Sequence, residues 1–375
     1  MKGSVVVAGA VARRIEAGGH VWALMQWALG FRQLGWSVLF LDRLEPEPGL
    51  RHSPRVRRFV ETMAGLGLAD GYSLDLGPDD EPVGLERDAV RARVRSSDFL
   101  LNVMGYLEDP ELLAQARRRV FLDIDPGFGQ MWRALGLCDL FARHDAFVTV
   151  GTRVGREGCR IPTCGLDWIP TLPPVVLDHW TPVPEAGDRF TSVASWRGPW
   201  APIEFEGERY GLRAHEFRRF ADVPRASGLE LEVALDIDAA DAADASRLRA
   251  GGWRLSDPRA VSGTPADYRS YVRGSRGEFS VAKGMYVRAR SGWVSDRTAC
   301  YLASGRPALV QDTGVDGAVE TGLGLVTFAT PEEAVDRARA LHGDWRRHAR
   351  AARALGVERF DSDRVLGRLA EAVAA

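Results

Sequence analysis

The sequence predicts an α/β protein built as two Rossmann-like domains that face each other across a cleft. Three observations predict it. The chain opens with a β-branched run, "SVVVAGA", followed by an apolar helix-period segment and a second apolar run, "WSVLFLD". That order is a β-α-β unit of the kind that builds doubly wound parallel sheets. Second, the alternation breaks over a proline-rich stretch, residues 171–188. Proline fixes φ and removes a backbone donor, so the stretch reads as an extended linker. Third, the alternation restarts at "RFTSVASW" and runs on through three more apolar strands. The predicted division is 1–170 as an N-terminal Rossmann-like domain and 171–188 as the linker. Residues 189–345 form a C-terminal Rossmann-like domain, and 346–375 are helices that pack back across the domains.

The bulk numbers suit this. The 375 residues are 45% hydrophobic and 27% charged, ordinary for a globular protein with a sizeable core. The net charge of -2 argues against a nucleic-acid backbone binder, which carries a basic excess. The run "VWALMQWALGF" falls short of the ~20 apolar residues of a membrane span and reads as a buried helix. The four cysteines, Cys138, Cys159, Cys164 and Cys300, form no C-x-x-C pair, so no metal site is expected. With no secretory leader, the expected location is cytoplasmic. Oligomeric state is not legible.

Element by element, "HVWALMQWALGFRQLG" is a helix that Gly35 closes. "SDFLLNVMG", "RRVFLDIDPG" and "HDAFVTVG" are strands, with a helix from Asp109 between the first two. In the second half "RFTSVASW", "LELEVAL", "GEFSVAKG" and "RPALVQD" are strands. "RAHEFRRFADVP", "DAADASRLRAGG", "PADYRSYVRG" and "SDRTACYLASG" are helices. "TPEEAVDRARAL" is a helix with Thr330 and Glu333 as a capping box.

The segment "YLASGRPALVQDTG", followed by "GLGLVTF" and "TPEEAV", resembles the donor-nucleotide half of GT-B glycosyltransferases. The likeness is at motif level over residues 277–340 and architectural elsewhere. It implies sugar transfer from a nucleotide-sugar donor to a hydroxyl of a small-molecule acceptor: a natural product, a nucleoside or a glycan fragment. It implies no cofactor beyond the nucleotide sugar as co-substrate, and no metal. Retaining members carry two glutamates eight residues apart in this region. Here Gly292 and Cys300 hold those positions, with Asp296 one turn earlier. The departure points to inversion. An epimerase or hydrolase on the same fold, or a non-catalytic nucleotide-sugar-binding module, are the alternatives.

The candidate site residues follow from chemistry. A departing diphosphate needs fixed donors or cations. Lys283 is the only lysine besides Lys2 in a chain that otherwise writes cations as arginine. Placed at a strand end, it would neutralise the phosphates as a point charge. "SGWVSDR" contributes Gly292, Ser295, Asp296 and Arg297 at a helix start, an anion-favouring position. Tyr286 joins them. Ser195, Trp196 and Arg197 follow a strand, with Trp196 as a base-stacking candidate. Thr313 and Gly314 end another strand. For the acceptor, Gly18 and Gly19 permit close approach. His20 at a helix start is the expected base. Asp123 and Asp125 would bind acceptor hydroxyls or assist His20.

Overall fold

The computed structural model describes residues 2–315 and 317–374. The N-terminal sheet has eight strands: β1 (Ser4–Ala8), β2 (Ser37–Arg43), β3 (Tyr72–Asp75), β4 (Val83–Gly84), β5 (Phe99–Val103), β6 (Arg119–Asp123), β7 (Ala146–Thr149) and β8 (Trp168–Pro170). Their spatial order is β4-β3-β2-β1-β5-β6-β7-β8. All neighbours pair parallel except β3 and β4. β1 reads SVVVA because both its faces are covered, and four of its five residues are buried.

The C-terminal half contains β9 (Phe190–Ser195), a hairpin of β10 (Ile203–Phe205) and β11 (Glu208–Tyr210), then β12 (Leu231–Asp236), β13 (Arg254–Ser256), β14 (Gly277–Ser280), β15 (Ala308–Gln311) and β16 (Leu325–Phe328). Six of these form a parallel sheet in the order β13-β12-β9-β14-β15-β16. Each sheet therefore reverses its winding once, between β1 and β5 and between β9 and β14. Ligands of open α/β sheets bind outside the carboxyl ends of strands at such switch points.

Several elements differ from expectation. The helix predicted over "RAHEFRRFADVP" is broken into Arg213–Phe217, a 3-10 turn Arg218–Phe220, and Val223–Ser227. Pro224 lacks the N–H that a continuous helix would use there. The β10–β11 hairpin was not expected, since its strands are only three residues each. The proline-rich stretch is anchored rather than free. Trp180 is fully buried, the Val176 N–H donates to Gln26 Oε1, and Val175 bridges to Asp361. β14 stops at Ser280, so Lys283 is not a strand end; it caps the short helix Gly284–Ala289.

The long helix Gly18–Gln33 carries the packing between the halves. Gly35 closes it with φ +83°, as expected. Its Trp22 indole donates to Pro265 O, at the start of helix Pro265–Gly274. The C-terminal helix Ser362–Ala374 lies on its other end, where a Cβ on Gly30 would stand 2.5 Å from Leu366 Cδ1. Phe128 and Met131 from the first half join Tyr210, Met285 and Tyr286 from the second in one apolar cluster. No helix among the described residues is long and apolar enough to cross a membrane.

Candidate active site

The carboxyl ends of both sheets open onto a cavity of about 320 Å³. Its first wall is the start of helix Gly18–Gln33. Ala17 at the cap position offers no side-chain acceptor, and the first backbone bond of the helix is Val21 N–H to Ala17 O. The N–H groups of Gly18, Gly19 and His20 are thus left for a ligand, at the positive end of a 16-residue helix. Arg14, in the turn before this helix, lines the same cavity.

The second wall comes from the C-terminal sheet. Ser195 ends β9, Asp236 ends β12, and Arg213, Arg259, Asp296 and Arg297 surround them. Arg213 donates to Val281 O at 3.0 Å, which fixes its guanidinium. Burial pushes it down to about 10, so it stays charged at neutral pH. Arg14 and Arg259 are exposed, and their side chains make no hydrogen bond among the described residues.

His20 lines this cavity as expected. Its Nε2–H donates to Ala10 O at 2.9 Å. That bond fixes the tautomer and leaves Nδ1 as the basic nitrogen. Burial holds its pKa below the ordinary histidine value, so the ring is neutral at pH 7.

A second cavity of about 440 Å³ sits at the β1/β5 switch point. Leu41, Pro78, Tyr106 and Leu107 supply apolar walls, with Asp42 and Asp75 among its polar groups. The Asp42 carboxylate accepts the Ala12 and Arg43 N–H groups at 2.9 and 2.7 Å. Burial nonetheless raises it to about 7. Asp42 and His20 together pin the loop between β1 and its helix, from Ala10 to Ala12.

Of the expected residues, Ser195, Gly19, His20, Asp296 and Arg297 line the cleft. Burial raises the Asp296 pKa. Arg297 is less available than expected. Its guanidinium donates to Glu278, Ser280 Oγ and Val193 O at 2.6–2.8 Å. Gly18 serves packing as well as approach, because a Cβ there would stand 2.1 Å from Thr264 O.

The others are elsewhere, for physical reasons. Trp196 is 1% exposed, packs on Phe217 and donates to Asp244, so it presents no face to a base. Arg197 pairs with Asp241. Ser295 is buried and accepts the Arg297 N–H as a helix cap. Gly292 presses on Thr152, whose hydroxyl donates to Gly292 O. Thr313 is buried and donates to Trp293 O, and Gly314 abuts Arg153 and Arg290. Asp123 is a core acceptor for Gln130 and Thr149, at 2.7 and 2.8 Å.

Lys283 and Asp125, expected on opposite substrates, bind each other instead. Lys283 Nζ lies 2.5 Å from Asp125 Oδ2, and the Tyr286 hydroxyl donates to Asp125 Oδ1. Lys283 also faces the Phe128 ring, 5.1 Å from its centroid. Tyr286 stacks on Trp293 at 4.2 Å. The three polar groups tie the loop after β6 to the loop after β14. Burial lowers the Lys283 pKa, against the pull of Asp125.

Sequence reasoning missed Arg14, Arg213, Arg259, Asp236 and Asp42. Asp236 and Asp42 end apolar strand runs, so the carboxyl-end rule could have found them. Arg213 follows the unexpected hairpin and carries no such signal.

No family model matches the chain, and no curated protein matches it. Solved structures do. One is a glycosyltransferase involved in avilamycin A biosynthesis, at 14% identity and TM-score 0.58, covering 99% of this chain and 97% of that one. Another is HepE of Anabaena in complex with UDP-glucose, at 10% identity and TM-score 0.59, covering 99% of both. A third is an alpha-glucosyltransferase in complex with UDP and a 13-mer DNA, at 12% identity and TM-score 0.57, covering 100% of both. At such identities the likeness is one of fold: along its whole length the chain takes the two-domain GT-B architecture that these glycosyltransferases share.

Proposed function

We propose that the protein is a glycosyltransferase that moves a sugar from a nucleotide-sugar donor to a hydroxyl of a small-molecule acceptor. The observation that carries this is the cleft itself. An uncapped helix start, Arg14, Arg213 and Arg259 converge at the carboxyl ends of two facing sheets. Two of the structural neighbours were solved with UDP or UDP-glucose bound.

The mechanism follows from the charges. As the bond between the anomeric carbon and the diphosphate breaks, negative charge grows on the leaving oxygen. Fixed N–H groups and guanidiniums stabilise that charge without reorganising. These groups suffice for metal-independent departure. Asp236 and Asp296 suit the ribose or sugar hydroxyls. The acceptor occupies the 440 Å³ cavity, a size that suits a small molecule. Its hydroxyl extends from there to the cleft, where it attacks the anomeric carbon and gives its proton to His20 Nδ1, which lines the cleft. One displacement with one base inverts the configuration.

The test is incubation with UDP-, GDP-, ADP- and dTDP-sugars, with and without pooled hydroxylated acceptors, followed by mass spectrometry. Acceptor-dependent release of a nucleoside diphosphate with a mass gain of one sugar is expected, with His20→Asn reduced about 10²-fold or more. The wild-type rate should fall on acidification with a midpoint below the ordinary histidine value, because burial lowers the histidine pKa. Donor breakdown that ignores acceptor favours an epimerase or hydrolase. Donor binding without turnover favours a binding module.

A further inference from the structure

A third cavity, of about 680 Å³, shares no lining residue with the two described above. It lies where the loops after β7, β8 and β15 meet the C-terminal helices. Four arginines line it: Arg153, Arg156, Arg359 and Arg368. Among the described residues Glu157 is the one carboxylate that lines it, and none of the four arginines forms an ion pair. Elsewhere in this arginine-rich chain the guanidiniums pair readily, as at Arg197–Asp241 and Arg218–Asp244. The Nε–H groups of Arg153 and Arg359 are buried and meet no acceptor among the described residues.

The remaining lining is apolar. Ile169, Pro170 and Leu172 come from the end of the N-terminal sheet, and Val365, Leu369 and Ala372 from the last helix. Val365 and Leu369 are 6% and 2% exposed. Clustered guanidiniums beside an aliphatic wall match one ligand chemistry. Guanidinium forks bind phosphate oxygens bidentately, and several forks match a dianion better than a single carboxylate. A volume in this range holds a small organic molecule.

We propose that this cavity binds an organic phosphate with an apolar body, at a site separate from the cleft. A ligand there touches both halves of the chain and the C-terminal helix at once, so it also fixes their relative position.

The probe is octyl phosphate, titrated calorimetrically into the full chain below its micelle-forming concentration. Inorganic pyrophosphate and octyl glucoside serve as the charge-only and tail-only comparisons. The side chains of Arg156 and Arg368 are exposed and make no hydrogen bond among the described residues, so Arg156→Gln/Arg368→Gln leaves the fold intact. Octyl phosphate is expected to bind at least tenfold more tightly than either comparison. It should weaken at least tenfold in that double variant and stay unchanged in Arg14→Gln/Arg259→Gln, which alters only the cleft. No binding, equal binding by the Arg156/Arg368 variant, or loss in the Arg14/Arg259 variant each overturns the proposal. In the Arg14→Gln/Arg259→Gln variant, whose cleft site is weakened, pyrophosphate binding as tightly as octyl phosphate overturns the proposal's apolar half.

Discussion

Replacing Lys283 with methionine keeps the aliphatic stem and removes the charge. Asp125 then keeps only the Tyr286 hydroxyl as a side-chain donor. The Lys283 and Asp125 side chains are 15% and 19% exposed, so water cannot fully replace the lost ammonium. Removing one partner of a buried pair costs about 3–5 kcal/mol. A chain of this length unfolding as one unit has an unfolding entropy of about 0.8 kcal/mol/K, so the midpoint should fall by about 4–6 °C. Calorimetry of Lys283→Met checks this. Asp125→Asn/Lys283→Met removes both charges while the Asn oxygen still accepts from Tyr286. It should therefore be more stable than the single variant. A single-variant cost below about 1 kcal/mol, or a double variant less stable than the single, would refute a buried ion pair joining the two halves.

Two further outcomes follow from particular contacts. Gly18→Ala drives a methyl into the Thr264 backbone, which has no flexible side chain to move aside. It should cost about 1–3 kcal/mol by chemical denaturation and weaken nucleotide binding, since it lifts the helix start that lines the cleft. His144 is half-buried, accepts from Asn102 Nδ2 at 3.1 Å, and burial pushes its pKa down to about 4. The unfolded chain binds this proton near pH 6.5 and the folded one does not. Stability is therefore whole above pH 6.5 and is lost as pH falls toward 4, by about 3 kcal/mol from this group. Denaturation curves of His144→Gln should show that much less loss over the same range.

The first β-α-β unit was legible because its strands are apolar runs and its helix shows helical spacing. The later strands of the C-terminal half were legible for the same reason. The β10–β11 hairpin was not, because three-residue strands are too short to leave a periodic trace. The site was half legible. Ser195, His20 and Asp296 do line the cleft, because strand ends and helix starts converge at a switch point whatever the details. Trp196 was misplaced because burial is decided by Phe217 and Asp244, not by its neighbours in sequence. Lys283 was noticed for its rarity, but its pairing with Asp125 was not foreseen. Its partner lies 158 residues away, and no local pattern announces a contact across two sheets.

The most direct test of the central claim is calorimetric titration of UDP, GDP, ADP and dTDP into the wild-type chain and Arg14→Gln/Arg259→Gln. The account predicts that at least one nucleoside diphosphate binds, and that loss of these two exposed cleft cations weakens it tenfold or more. Binding that is indifferent to both substitutions, or no binding of any of the four, would contradict a diphosphate site between the two sheets.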